Sequence, residues 1–242
     1  MSHDAWVYGL LRSVKALSRC FYRYDISWIG EFPQQPWRKI KLVAFLNHTS
    51  FYEPIFVGWF PNEFLHRIAT NGMMPVAAEA LQRPLMGNFF NLVAGKVVPI
   101  SRLKDKTWLN VINQIHADSM VIIMPEGRMM RRNGLDKNSQ PMTVRGGIAD
   151  LIEKIPNGKI LMAYSGGLHH IQAPGELIPR LFKTVKMRLE CIDIQKYRNR
   201  ILSRSGYDGF KSAVITDLER RRDLFCPVKP AIQAKQLSAH SV

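Results

Sequence analysis

Three short blocks carry side chains that could do chemistry together. Asn47-His48 closes the apolar run Leu42-Val43-Ala44-Phe45-Leu46, and Glu53 follows the histidine by five residues. A carboxylate so placed can keep one imidazole nitrogen protonated and leave the other free to take a proton from a hydroxyl. Taken alone, the block also fits a polar turn that caps a helix. A second apolar run, Met120-Val121-Ile122-Ile123-Met124, ends in Pro125-Glu126-Gly127-Arg128, with Arg131 and Arg132 just beyond. Glycine lets backbone N–H groups come close to an anion, and arginine can grip a phosphate through two parallel hydrogen bonds. The third block, residues 95–102, is again an apolar strand ending in a cation, Arg102. Open α/β sheets put ligand sites at the carboxyl ends of their strands, which is where all three blocks fall.

The elements that must hold these blocks follow from periodicity. The run at 42–46 has strand length and hydrophobicity, Asn-His-Thr-Ser favours a turn or cap, and Pro54 suits the first turn of a helix. Residues 25–40, with Pro33 and Pro36, read as a turn-rich connection. Residues 51–94 read as helix, strand and helix, with the strand expected at 65–70. Helices are expected over 103–118, 146–155 and 208–222, and strands over 160–164 and 181–191. This alternation predicts an α/β fold: a mixed, largely parallel sheet flanked by helices, preceded by an N-terminal amphipathic helical segment. The expected divisions are that segment over 1–30, an α/β domain over 31–226, and a disordered tail over 227–242.

Charge points to an anionic partner. The chain has 34 Lys+Arg against 19 Asp+Glu, a formal net charge of +15, which suits nucleic acid, an anionic membrane surface or an acidic carrier protein. No helix-turn-helix, zinc or RNP-type signature accompanies it, so nucleic acid is not expected. In the first segment Trp6, Leu10, Val14, Leu17 and Phe21 share one helical face, and Arg12, Lys15, Arg19 and Arg23 lie opposite. That pattern fits a helix lying in a membrane interface, and equally an amphipathic helix packed on a core. Cys20, Cys191 and Cys226 are widely spaced, which indicates neither a metal site nor a disulfide framework. No apolar stretch is long enough to span a bilayer, no secretory signal is read, and a cytoplasmic setting is the default.

Taken in order, the blocks resemble those of the glycerolphosphate and lysophospholipid acyltransferase family, over roughly residues 40 to 170. The N-H-x4-D block is matched by Asn47, His48 and Glu53, with Glu in place of the usual Asp. The arginine that ends the second strand is matched by Arg102, although Ser101 stands where an Asp commonly precedes it. The F-P-E-G-T-R-S block is matched by Pro125, Glu126 and Gly127. Arg128 directly follows the glycine, as in the P-E-G-R variant of enzymes acting on lysophosphatidylethanolamine-type acceptors. The fourth block is matched only in position, by the strand at 160–164, which lacks the usual proline.

The resemblance implies a transferase that moves a fatty acyl chain from an acyl thioester, acyl-ACP or acyl-CoA, to an acceptor hydroxyl. His48 would be the general base and Glu53 its orienting partner. Arg102 and Arg128 would hold the acceptor phosphate, Glu126 would fix the acceptor or the loop, and backbone N–H groups near Gly127 would meet the oxyanion. Neither a metal nor a tightly bound cofactor is implied. The setting would be peripheral, on the cytoplasmic face of the inner membrane. Two alternatives stay open: acylation of another amphiphile, such as a lipid A precursor or an amino lipid, and a non-catalytic basic membrane-binding module. Among the remaining residues, His169-His170 and His66 read as structural and Ser50 as a cap; Met73, Met74 and the run through Phe89-Phe90 fit core, with the lining of an acyl groove as the alternative, and Arg220-Arg221-Arg222 fit a solvated basic face, with lipid headgroups as the alternative contact.

Overall fold

Alternating burial along the central strands divides the protein into three layers. In the computed structural model, which describes residues 2–82, 95–101, 106–176 and 178–227, β2 (Ile40–Leu46) sends Val43 to one face and Leu42, Ala44 and Leu46 to the other. The other strands are β1 (Arg23–Trp28), β3 (Gly72–Ala77), β4 (Lys96–Ile100), β5 (Met120–Ile123), β6 (Lys159–Ser165) and β7 (Thr184–Asp193). They form a seven-stranded sheet in the order β1-β7-β6-β2-β5-β3-β4. All described neighbours are parallel except β6 and β7, so the β1–β7 pair runs against the rest. The mixed, largely parallel α/β sandwich expected from the sequence is the fold observed.

Helices cover both faces because each carries one apolar stripe. On the first face lie α1 (His3–Phe21), a 3-10 helix (Glu53–Gly58) and α2 (Asn62–Asn71), packed on Val43, Ile122, Leu161 and Met187. The short α3 (Ala78–Leu81) follows β3. On the second face α4 (Lys106–Asn113), α5 (Gly147–Lys154) and α6 (Ile194–Phe225) bury Val111, Ile148, Ile152, Tyr197 and Val214 against Leu42, Val121 and Met162. Asp193 caps α6 by accepting from the N–H of Lys196. Gly206, at φ 65° and ψ −178°, breaks that helix near its middle in a conformation only glycine adopts without strain.

The structure departs from the sequence-based expectation in three places. Residues 65–70 belong to α2, because Phe64, Leu65, Ile68 and Ala69 recur at helical spacing and bury one face. Residues 25–28, expected as part of a connection, belong instead to the edge strand β1, which pairs with β7. The first thirty residues are therefore built into the common core: Val7 and Leu11 of α1 are fully buried. The expected apolar stripe of α1 is split. Leu10 and Val14 pack against the core, whereas Trp6, Leu17 and Phe21 stay exposed. Lys15 donates to the Phe60 carbonyl at 2.7 Å and Arg19 to that of Gly58 at 2.9 Å, so these two cations tie α1 down instead of projecting outward.

Of the basic run 220–222, expected as a solvated face, Arg220 is exposed but Arg221 and most of Arg222 turn inward. Arg221 bonds Asp217 of its own helix at 2.7 Å and Glu190 of β7 at 2.6 Å, and Tyr164 and Tyr197 donate to the same two carboxylates. Removing one charge from such a cluster leaves its partners buried and unpaired. Arg221→Ala should therefore lower stability by about 3 kcal/mol in urea unfolding; a loss under about 0.5 kcal/mol, the usual range for surface changes, would show that the network carries little.

Candidate active site

The site forms where β2 ends. Asn47 turns the chain at φ 67°, a left-handed conformation that asparagine tolerates better than most residues. Its side-chain amide donates to the Ser165 carbonyl at the end of neighbouring β6, 2.9 Å away, a bond that glycine could not make. Two N–H groups then stand at the strand end without a ladder partner. Glu126, delivered by the segment after β5, accepts both: Oε1 from Asn47 N–H at 3.0 Å and Oε2 from His48 N–H at 2.9 Å. The loop is closed from the other side by the Met130 N–H, which donates to the His48 carbonyl at 2.8 Å.

Glu53 opens the 3-10 helix, one turn beyond the histidine. Its Oε2 lies 2.6 Å from His48 Nδ1, and its Oε1 accepts the Thr49 N–H at 2.9 Å. Both carboxylate oxygens are thus committed, which fixes the imidazole plane and keeps the proton on Nδ1. Nε2 is left for a substrate. The longer reach of Glu compared with Asp still closes the pair. Burial pulls the His48 pKa down, but the charge and hydrogen bond of Glu53, aided by Glu126, outweigh it, and the net shift is upward. Burial raises the Glu126 pKa, against the opposing pull of the His48 N–H, Arg222 and the Asn47 N–H.

Beside the pair opens an apolar cleft. His48 and Glu53 sit in its wall, and Phe45, Phe60, Phe64, Ile68, Met74 and Leu11 of α1 line the rest. Of the two methionines read as core or groove lining, Met74 lines the cleft and Met73 is buried in the core. Phe89 and Phe90 lie outside the described residues.

The other expected site residues have distinct places. Glu126 fixes the loop, the second of its two expected roles. Gly127 is in the left-handed region at φ 63°, and its N–H donates to the Met124 carbonyl at 2.9 Å. That N–H is committed to the turn. The Arg128 guanidinium pairs with Asp136, whose buried carboxylate also accepts the N–H groups of Asn138 and Gln140. Together the Gln140 N–H, Arg128 and the Asn138 N–H overcome the cost of burial and hold Asp136 below the usual carboxylate range. Arg102 lies outside the described residues. Ser50 accepts the Tyr52 N–H at 3.1 Å and hydrogen-bonds Gln172. His169 and His170 each sit on a backbone carbonyl, of Met130 and Thr184, at 2.8 Å.

Sequence reasoning missed Arg222, which approaches Glu126 to 3.6 Å from α6 and donates to the Met142 carbonyl at 2.9 Å. A run of three arginines carries no local sign of which one turns inward. Asp136 was missed for a similar reason, since it sits in a polar loop.

A part-buried histidine paired with a buried carboxylate on a strand-end turn thus stands in the wall of an apolar cleft. Residues 31–172 match the acyltransferase family model, and the chain belongs to that family of enzymes. No curated protein matches the chain. Among solved structures it is similar to the 1-acyl-sn-glycerophosphate acyltransferase PlsC of Thermotoga maritima. The similarity has a TM-score of 0.52 and 14% identity over 89% of this chain and 79% of that one, which establishes a shared fold.

A base must be neutral to accept a proton, so activity should fall as pH drops through the His48 pKa. Because that pKa is raised, the acid limb of kcat/KM should lie above the 6.5 of an ordinary imidazole. Glu53→Gln removes the charge that raises it, so the limb should move to lower pH while turnover falls. An unmoved limb would mean that another group titrates.

Proposed function

We propose that this acyltransferase moves a fatty acyl chain from an acyl thioester to the hydroxyl of a lysophospholipid or glycerol-phosphate type acceptor. The observation that carries the reading is His48 in the wall of an apolar cleft, with its Nδ1 held by Glu53 at 2.6 Å. The cleft's almost wholly apolar lining suits an acyl chain. The likeness to PlsC of Thermotoga maritima, a 1-acyl-sn-glycerophosphate acyltransferase, favours a glycerolipid acceptor over other amphiphiles.

In the mechanism that fits, His48 Nε2 takes the acceptor's hydroxyl proton as the oxygen attacks the thioester carbonyl. Glu53 stabilises the imidazolium that results. The tetrahedral intermediate collapses, the C–S bond breaks, and the imidazolium returns its proton to the leaving thiolate, giving ester and free thiol. The hydroxyl attacks the thioester directly, so no acyl-enzyme is needed. Arg102 and Arg128 are proposed to meet the acceptor phosphate, with Asp136 setting the orientation of Arg128.

The thioester is carried by acyl carrier protein or coenzyme A, and a net charge of +15 favours either anionic donor. No helix among the described residues is long and apolar enough to cross a membrane. The proposed setting is peripheral, on the cytoplasmic face of the inner membrane, where the exposed Trp6, Leu17 and Phe21 of α1 meet lipid.

The test is thiol release from acyl-ACP and acyl-CoA with a panel of lyso acceptors, the products identified by mass spectrometry. His48→Ala should lower turnover by roughly 10²–10⁴-fold in a folded protein; near-normal turnover would remove this histidine from the chemistry. Ester formed only on a lipid A precursor or an amino lipid would redirect the acceptor assignment. Arg128→Lys should raise the acceptor KM and leave that of the donor nearly unchanged, because lysine cannot reproduce a bidentate grip. Equal changes in both KM values together with a lowered Tm would assign Arg128 to the Asp136 pair alone.

A further inference from the structure

Phe182 combines two costs that the fold itself does not require. Its backbone is in the left-handed region at φ 58°, an outlier for a bulky side chain, and its ring is 65% exposed. Backbone bonds on both sides hold it there. Its N–H donates to the Phe21 carbonyl at the end of α1 at 2.8 Å, and the Arg23 N–H donates to the Lys183 carbonyl at 3.1 Å. The Phe182 ring meets that of Phe21 edge-on, with centroids 6.1 Å apart. Around them Leu17, Leu181 and Ile178 are exposed as well, so the end of α1 and the segment before β7 display apolar side chains together.

Topology places this display beside the catalytic pair. β7 runs against β6, with Met187 opposite Ser165, so the start of β7 lies at the sheet edge where the parallel strands end. His48 stands at that same edge, after β2. The connection is direct: Gln172 hydrogen-bonds Ser50 of the histidine loop, and the Arg180 N–H donates to the Ile171 carbonyl at 2.7 Å.

We propose that residues 178–183 and the C-terminal end of α1 form one membrane-docking wedge that seats the His48 edge of the sheet on an anionic bilayer. The inference rests on the reading above that the acceptor is a membrane lipid, and adds a second, non-helical element to the contact. Charge selects the occupant. Arg23 and Lys183 flank the aromatic pair and are exposed, and the chain carries +15 overall, which repels a second copy and attracts anionic headgroups. Asp25 and Glu176 are the nearby acids, and Glu176 is already paired with Arg180 at 2.8 Å. Aromatic and aliphatic side chains bordered by cations are what an interfacial element requires.

The wedge makes opposite demands on stability and binding, which makes it testable. Phe182→Gly relieves the left-handed strain, so the Tm of the full chain should hold or rise. Its partitioning onto phosphatidylglycerol–phosphatidylcholine vesicles should nevertheless weaken by about tenfold, with little salt dependence, because apolar burial is what is lost. Leu181→Ser should weaken partitioning in the same salt-independent way. Turnover of a vesicle-embedded acceptor should drop in both variants, while that of a water-soluble short-chain acceptor stays at the wild-type level. Partitioning of Phe182→Gly equal to wild type, or a lowered Tm with unchanged partitioning, would overturn the proposal. A wild-type protein that acylates the soluble acceptor but ignores vesicles would overturn it too, while leaving the acyl-transfer reading intact.

Discussion

One carboxylate, Glu126, holds the active site together. It accepts the N–H groups of Asn47 and His48, the two left exposed where β2 stops and the chain turns into a left-handed conformation. A hydrogen bond contributes about 0.5–1.5 kcal/mol net, enough for two of them to offset much of the cost of a turn that sterics disfavour. The turn aims the His48 ring at Glu53, and the Glu53 pairing decides which imidazole nitrogen is free. Without the clamp, the turn would keep only the Asn47–Ser165, Met130–His48 and Glu53–Thr49 bonds.

The clamp spans both faces of the sheet. On the first face, α1, the 3-10 helix and α2 enclose an apolar cleft against Val43 and Ile122. On the second, α6 brings Arg222 to within 3.6 Å of Glu126 and anchors it to the Met142 carbonyl. The first face thus carries the cleft, and the second brings a positive charge that opposes the upward pull of burial on the Glu126 pKa. The His48–Glu53 pair stands at the seam between them. Arg221, one residue earlier, locks the same helix to β7 and so fixes where Arg222 can reach.

Much of this was legible in the sequence because the chemistry is local. His48 and Glu53 are one turn apart, and the runs at 42–46 and 120–124 announce buried strands by hydrophobicity alone. The family blocks add the order in which such strands carry their polar ends. What stayed hidden depends on distance along the chain. Glu126 meets its N–H partners across 78 and 79 residues, and Arg222 comes from a helix whose arginines look alike in sequence. The α2 region was misread because Leu65 to Thr70 alternates weakly, while the helical set Phe64, Leu65, Ile68 and Ala69 needs a longer window to stand out. The stripe on α1 was read correctly as apolar, but no local pattern says that its Val14 edge packs on the core while its Leu17 edge remains exposed.

The most direct test of the central role given to Glu126 is steady-state kinetics of Glu126→Gln with donor and acceptor varied in turn. The amide keeps the size of the side chain but points an NH₂ at one of the two N–H groups, so the turn should relax and misplace His48. A displacement of about 1 Å at a catalytic group can cost 10²-fold. The account therefore predicts a fall in kcat of about that size, with both KM values near those of the wild type. A normal kcat with only the acceptor KM raised would contradict it, and would make Glu126 a substrate-binding residue instead of the clamp.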